Sequence, residues 1–273
     1  MHTGDERLPA IEFRLRIRRE LLWIELSGFG DGGSAVKVDH ESHPFNKDNP
    51  IPAGTRILIV GTAPPQRFSS VPGPDGDLPG DVRFFYGSRD NELWWEILPA
   101  LTGRKFNLEN VTASRQAMTI FLENNRIWMH DICEKYRRTK AGSALDNNLC
   151  ILETSNFGEV LRAYPSIEHI VFTGCRAERE TCRYLVREGL TRFVNISGKM
   201  PRSRKVELHD GRSLRVHAVP SPSPMTARAG MTRGRKIAIY RSVLEEPVQA
   251  HSTICPHEMS RLEQVHPGSV IGA

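Results

Sequence analysis

A chain of 273 residues with 39% hydrophobic and 25% charged residues can bury a sizeable core without disulfides or a structural metal. No run approaches ~18 apolar residues, which excludes a membrane-spanning helix, and the polar start Met1-His2-Thr3-Gly4-Asp5-Glu6 is unlike a secretory leader, so a cytoplasmic protein is expected. The five cysteines are scattered without a CxxC pair, so zinc-ribbon and thioredoxin-like chemistry lose support, and neither metal nor cofactor is expected.

The net charge of +5 permits a polyanionic partner. Basic residues cluster at Arg14 to Arg19, at Arg137, Arg138 and Lys140, at Arg202, Arg204 and Lys205, and from Arg228 through Arg233 and Arg235 to Lys236. Beside loop signals, these clusters are candidates for phosphate contacts as much as for solvated faces.

Taken in chain order, residues 1–45 read as an extension. Ile11, Phe13, Leu15 and Ile17 alternate like a strand, and a Gly-rich stretch from Gly28 to Ser34 follows. Residues 46–246 read as one domain and 247–273 as a tail. Short apolar runs predict buried strands at Arg56–Gly61, Arg126–Asp131, Glu168–Gly174 and Leu214–Pro220. Helical patterns separate them at Glu92–Leu101, Ser114–Asn124, Ser155–Tyr164 and Arg176–Glu188, and Arg235–Glu246 closes the series. The stretch Arg192–Glu207 could add a small hairpin. Strands alternating with helices predict an α/β fold, a three-layer α/β/α sandwich with a central, mainly parallel four-stranded sheet. Ligands in such sheets bind at the carboxyl ends of the strands.

Three loops stand at those ends. Gly61-Thr62-Ala63-Pro64-Pro65 follows the first strand and fits neither GxGxxG nor a P-loop. A Pro/Gly-rich insertion follows, and then Phe84-Phe85-Tyr86-Gly87-Ser88-Arg89-Asp90-Asn91-Glu92-Leu93-Trp94-Trp95. Its tryptophans fit a core and its Asp90 or Asn91 fits a helix N-cap. The same segment could equally offer a stacking platform with a polar group beside it. The last strand runs into Pro220-Ser221-Pro222-Ser223-Pro224-Met225, where alternating prolines stiffen the backbone and small hydroxyls sit between them. Asp131, at the end of the second strand, could accept from an N–H of a base, cap the next segment, or pair with Arg137 or Arg138. His130 and His217 fit core positions. In the tail, His251, His257 and His266 with Cys255 match no standard metal spacing.

Together these segments resemble the uracil-DNA glycosylase superfamily. Gly61 to Pro65 is similar to its first motif, and Val219 to Met225 to its proline-serine loop. Phe85 to Trp94 resembles the aromatic segment of the hypoxanthine-DNA glycosylase branch, and Gly142-Ser143-Ala144-Leu145-Asp146 an element of the same branch. The resemblance implies a monofunctional glycosylase that flips an altered base (a deaminated purine, uracil or a modified pyrimidine) out of duplex or single-stranded DNA and hydrolyses its N-glycosidic bond. Many relatives orient the attacking water from the first motif, where this chain has Ala63. The hypoxanthine branch uses the asparagine that falls on Asn91, here preceded by Asp90, and either side chain could face the pocket.

Gly61, Thr62, Ala63, Pro64, Phe85, Tyr86 and Asp131 would then form the base pocket. Pro220, Ser221, Pro222, Ser223, Pro224, Met225 and Arg228 would contact DNA, with Met225 as the wedge. The cysteine spacings match no iron–sulfur branch, so no cluster is expected. Two other readings stay open: an N-glycosidase of free nucleosides or nucleotides, and a non-catalytic reader of unusual bases. No protein partner is indicated.

Overall fold

The computed structural model describes residues 40–69, 77–106, 111–143, 145–192, 194 and 196–249, with the backbone alone at 227–229 and 245–249. The Arg14–Arg19 cluster, residues 70–76 of the insertion, Ala144, the Arg228 side chain, Cys255 and the tail histidines lie outside that description. Among the described residues no helix is long and apolar enough to cross a membrane. No group of three or more His, Cys, Asp or Glu among them could hold a metal ion.

Two sheets organise the described residues. The larger has the order β3-β2-β6-β8-β7, with β2 at Ile57–Gly61, β3 at Ile127–Asp131, β6 at His169–Phe172, β7 at Arg202–Glu207 and β8 at Ser213–Ala218. The four strands read from apolar runs are its parallel members. Every residue of β2 and β3 is buried, as strands covered on both faces require. The sheet is not four-stranded, however. β7 adds a fifth strand antiparallel to β8, so the sheet is mixed. Its pattern Arg-Ser-Arg-Lys-Val-Glu buries only Val206 and carries no apolar run; it lies within Arg192–Glu207, read as able to add a small hairpin, and pairs with β8.

The smaller sheet, β1-β4-β5, is antiparallel, with β1 at Glu41–Ser42, β4 at Cys133–Arg138 and β5 at Leu149–Thr154. Only one residue separates β3 from β4, so this sheet stands directly past the end of β3. The stretch before residue 45, read as an extension, holds a strand of this sheet: β1 pairs with β4, Glu41↔Tyr136 and Ser42↔Lys135.

Helices α1 (Leu98–Thr102), α2 (Val111–Asn124), α3 (Phe157–Ala163) and α4 (Cys175–Arg187) lie between strands, and α5 (Arg233–Gln249) follows β8. A π-helical turn, Leu93–Ile97, leads into α1 and buries Leu93, Trp94 and Ile97. The chain leaves β2 toward β3, returns past β2 to β6, then continues to β8. With right-handed crossovers, such a reversal sends the connecting helices to opposite faces, and a ligand site is expected at the carboxyl end of β2.

Candidate functional site

The sheet register sets the site. Gly61 is paired with Asp131 across β2 and β3. Val60 is paired with Phe172, which places Thr173 at the same level on the other side. Three strand ends thus deliver a bare glycine flanked by a carboxyl and a hydroxyl.

Asp131 is held from three directions and is buried. Asn46 clamps its backbone, accepting from its N–H at 3.1 Å and donating to its carbonyl at 3.0 Å. His43 Nε2 lies 2.9 Å from Asp131 Oδ2. The backbone N–H groups of Phe45 and Asn46 donate to His43 Nδ1 at 3.2 and 3.1 Å. A ring nitrogen that accepts two N–H bonds carries no proton, so the proton sits on Nε2 and is donated to Asp131. Oδ1, the other carboxyl oxygen, is buried without a hydrogen-bond partner. It is a buried polar atom beside the bare Gly61, and a buried acceptor left without a donor costs stability. Asp131 pairs with neither Arg137 nor Arg138, and the partner it does have was not indicated by the sequence pattern.

Tyr86 closes on the same point. A Cβ built at Gly61 would come closer than 3.0 Å to both Asp131 Oδ1 and the Tyr86 hydroxyl, so only glycine admits the two groups here. The Tyr86 hydroxyl lies 2.8 Å from Thr173 Oγ1. Thr173 Oγ1 in turn donates to the Val60 carbonyl at 3.4 Å. The arrangement that satisfies both bonds has Tyr86 donating to Thr173, leaving a phenol lone pair beside Asp131 Oδ1. Burial and the nearby Asp131 hold the phenol well above its ordinary pKa, so it stays protonated. Tyr86 has φ +56°, in the left-handed region, which costs a non-glycine residue about 1–2 kcal/mol. Strain of this kind concentrates at functional sites.

Asp146 enters from the β4–β5 loop. The Thr62 hydroxyl donates to its Oδ2 at 3.2 Å. Burial raises its pKa, against the opposing pull of that bond and of Arg176. The loop is braced from both flanks. Arg138 donates to the carbonyls of Ser143 at 2.6 Å and Pro64 at 2.7 Å. Arg176 donates to the carbonyls of Asp146 at 2.7 Å and Leu149 at 2.9 Å. Arg138 is not a solvent-facing phosphate contact: its side chain is 3% exposed and paired with Glu41. Ala63 is partly buried and offers no polar group, and Pro64 is buried.

The aromatic segment divides its duties. Phe85 is 2% exposed, its ring 5.9 Å from His43 and nearly parallel to it, and 5.5 Å from Phe45. Trp94 is fully buried and donates to the Phe85 carbonyl at 2.8 Å. The Asp90 carboxylate is 59% exposed and lies 3.3 Å from Arg67. Asn91 Oδ1 accepts from the Leu93 N–H at 3.0 Å, which caps the π turn.

The loop after β8 is held from behind. Tyr240 donates to the Pro220 carbonyl at 3.0 Å, the Glu92 N–H to Pro222 at 2.9 Å, and Lys236 to Ser223 at 2.8 Å. The Ser221 and Ser223 hydroxyls accept from the N–H groups of Ser223 and Met225 at 3.2 and 3.3 Å. Met225 stands 39% exposed at the tip. Two further basic clusters are partly spent on structure: Lys236 is fully buried against Glu92, while Arg202 and Arg204 both pair with buried Glu178. A separate cleft of about 530 Å³, lined by His169, Lys205, Arg215 and neighbours, lies toward the amino end of β6, away from Gly61.

No family model matches the chain, and no curated protein matches it. Among solved structures, the chain is similar to the solution NMR structure of a protein from Methanosarcina acetivorans described as a candidate uracil DNA glycosylase, with 18% identity and a TM-score of 0.44 over 71% of this chain and 93% of that one.

Proposed function

We propose that the crevice at the end of β2 receives a base flipped from DNA, and that the protein is a monofunctional DNA glycosylase hydrolysing the N-glycosidic bond of that base. The observation that carries this reading is the buried, unsatisfied Asp131 Oδ1 beside the Tyr86 hydroxyl over Gly61. Such a pocket suits a flat ligand edge that offers an N–H. The carboxyl oxygen accepts that N–H, and the ligand supplies the bond that the protein leaves unmade. The imide or lactam edge of uracil or a deaminated purine offers one, as does the amino group of a modified cytosine.

Breaking the N-glycosidic bond builds positive charge on the sugar and negative charge on the departing base, and needs only a weak nucleophile. An amide can orient that water without acting as a base. Asn91 fills that role in this reading, with its oxygen supported at the start of the π turn and Asp90 outside, toward Arg67. The stiff loop ending in exposed Met225 supplies the wedge, and the surrounding cations, Arg228 among them, meet phosphate.

The Asn91 cap and the empty Ala63 position favour a second reading, a reader that holds the base without cutting it. One experiment separates the two. The protein is incubated with oligonucleotides each carrying one altered base, and abasic sites are revealed by alkaline cleavage while binding is followed in parallel. Release of at least one base, abolished in Asn91→Ala with binding retained, supports the glycosylase. Selective binding without release by the parent protein supports the reader. Release from free nucleosides but not from DNA points to the nucleoside hydrolase.

A further inference from the structure

Lys236 lies in α5, in the middle of a basic run, yet its side chain is fully buried. Its ammonium makes an ion pair with Glu92 and donates to the Ser223 carbonyl. Those two acceptors belong to segments far apart in the chain. Glu92 directly follows Asn91, and Ser223 lies in the loop that presents Met225. The two segments are also joined directly, by the Glu92 N–H on the Pro222 carbonyl at 2.9 Å. Around this junction the Asn91 side chain fixes the amide two residues on, that of Leu93, and the Ser223 hydroxyl fixes that of Met225. A cation buried against one carboxylate and one carbonyl is costly to desolvate, and the pairing recovers that cost only in a tightly fixed geometry. A surface contact for phosphate would need none of this.

We propose that Lys236 is a positioning residue that fastens the Met225 loop to the Asn91 segment, so that the two shift as one body when the loop is seated on a ligand. The inference deepens the glycosylase reading, because it makes the placement of the water-orienting amide depend on the wedge loop. The loop would thereby report its docking to the reacting centre through two hydrogen bonds and an ion pair.

The test uses the full chain and the double variant Lys236→Met with Glu92→Gln. Lys236→Met alone leaves the Glu92 carboxylate, itself only 13% exposed, without its cation, and can unfold the protein. The double variant removes both charges together. Amide hydrogen exchange of the ligand-free protein is then followed at Glu92 and Leu93, at Ser223 and Met225, and at Leu58 and Ile59 in β2. The expected result is exchange faster by about tenfold or more at Glu92, Leu93, Ser223 and Met225 together, with β2 unchanged. Faster exchange confined to the loop, equal acceleration everywhere including β2, or no change at all would each overturn the proposal. This readout needs no activity, so it stands even if the parent protein releases no base. With an active parent, a second arm applies. Asn91→Ala should cost much less in the double variant than in the parent, since its amide is already displaced there, and an undiminished loss in both backgrounds would contradict the coupling.

Discussion

At the scale of single residues, the site turns on which atoms can and cannot carry a proton. His43 must present Nε2–H, because its other nitrogen receives two backbone N–H bonds. That fixes what an amide at position 131 would do. In Asp131→Asn the amide oxygen turns to His43 and the NH₂ takes the place of Oδ1, so the pocket offers a donor where it offered an acceptor. Affinity for the preferred base should fall by 10²-fold or more, and bases presenting a bare ring nitrogen should gain relative to those presenting N–H. Binding titrations across the oligonucleotide panel check this, and an unchanged ranking of bases would place the readout elsewhere. Asp146 makes a different prediction. Burial raises its folded pKa above that of an ordinary aspartate, so its contribution to stability is fully present below the unfolded pKa and is lost as pH rises through the folded one. Asp146→Asn keeps the acceptor for Thr62 and removes the charge. Its melting temperature should therefore exceed the parent's increasingly as pH rises from 4 to 8, by about 2–4 °C for each kcal/mol relieved. Thermal melts across that range decide it, and a variant less stable at pH 8 than at pH 4, relative to the parent, would refute the burial argument.

At the scale of elements, the Pro220–Met225 loop shows how a stiff presenter is made. Three of its carbonyls are taken from behind by Tyr240, Glu92 and Lys236, and two of its hydroxyls by its own backbone, which leaves Met225 outward. Met225→Ala should reduce excision from duplex by tenfold or more while changing single-stranded substrate little, because a wedge matters only where there is a stack to hold open. Equal losses on both substrates, measured in single turnover, would show that Met225 shapes the pocket instead. The four parallel strands and the five helices were legible because fully buried strands read as apolar runs and their helices as amphipathic intervals. The elements that were not legible share one trait: they are held by long-range partners rather than by an apolar face. β1 is two residues long, and β4 alternates charge with a few buried positions. Lys236 looks like its basic neighbours until Glu92, 144 residues earlier, is found beside it. In the same way Asp131 and Asn91 could be named as candidates from residue type and position. His43 could not, since nothing near it in sequence hints at a partner 88 residues away.

At the scale of the whole molecule, the site draws on segments around residues 43, 61, 86, 131, 146 and 173, none of which forms it alone. One consequence concerns trimming of the chain for structural or biochemical work. Composition invites a cut at residue 45, and a fragment beginning at Asn46 would keep all five strands of the larger sheet. It would lose β1 and His43, and with them the only described partner of either Asp131 carboxyl oxygen. It would also lose Glu41, stranding the buried Arg138 that braces Ser143 and Pro64. Such a fragment should express as a folded sheet with a spoiled pocket: a cooperative melt displaced downward by the 3–5 kcal/mol typical of breaking a buried ion pair, about 6–20 °C, and base-specific binding lost. A fragment beginning at His40 keeps β1, Glu41 and His43, and should exceed the Asn46 fragment in both measurements. Six residues at a weakly patterned edge thus separate a useful fragment from an inert one.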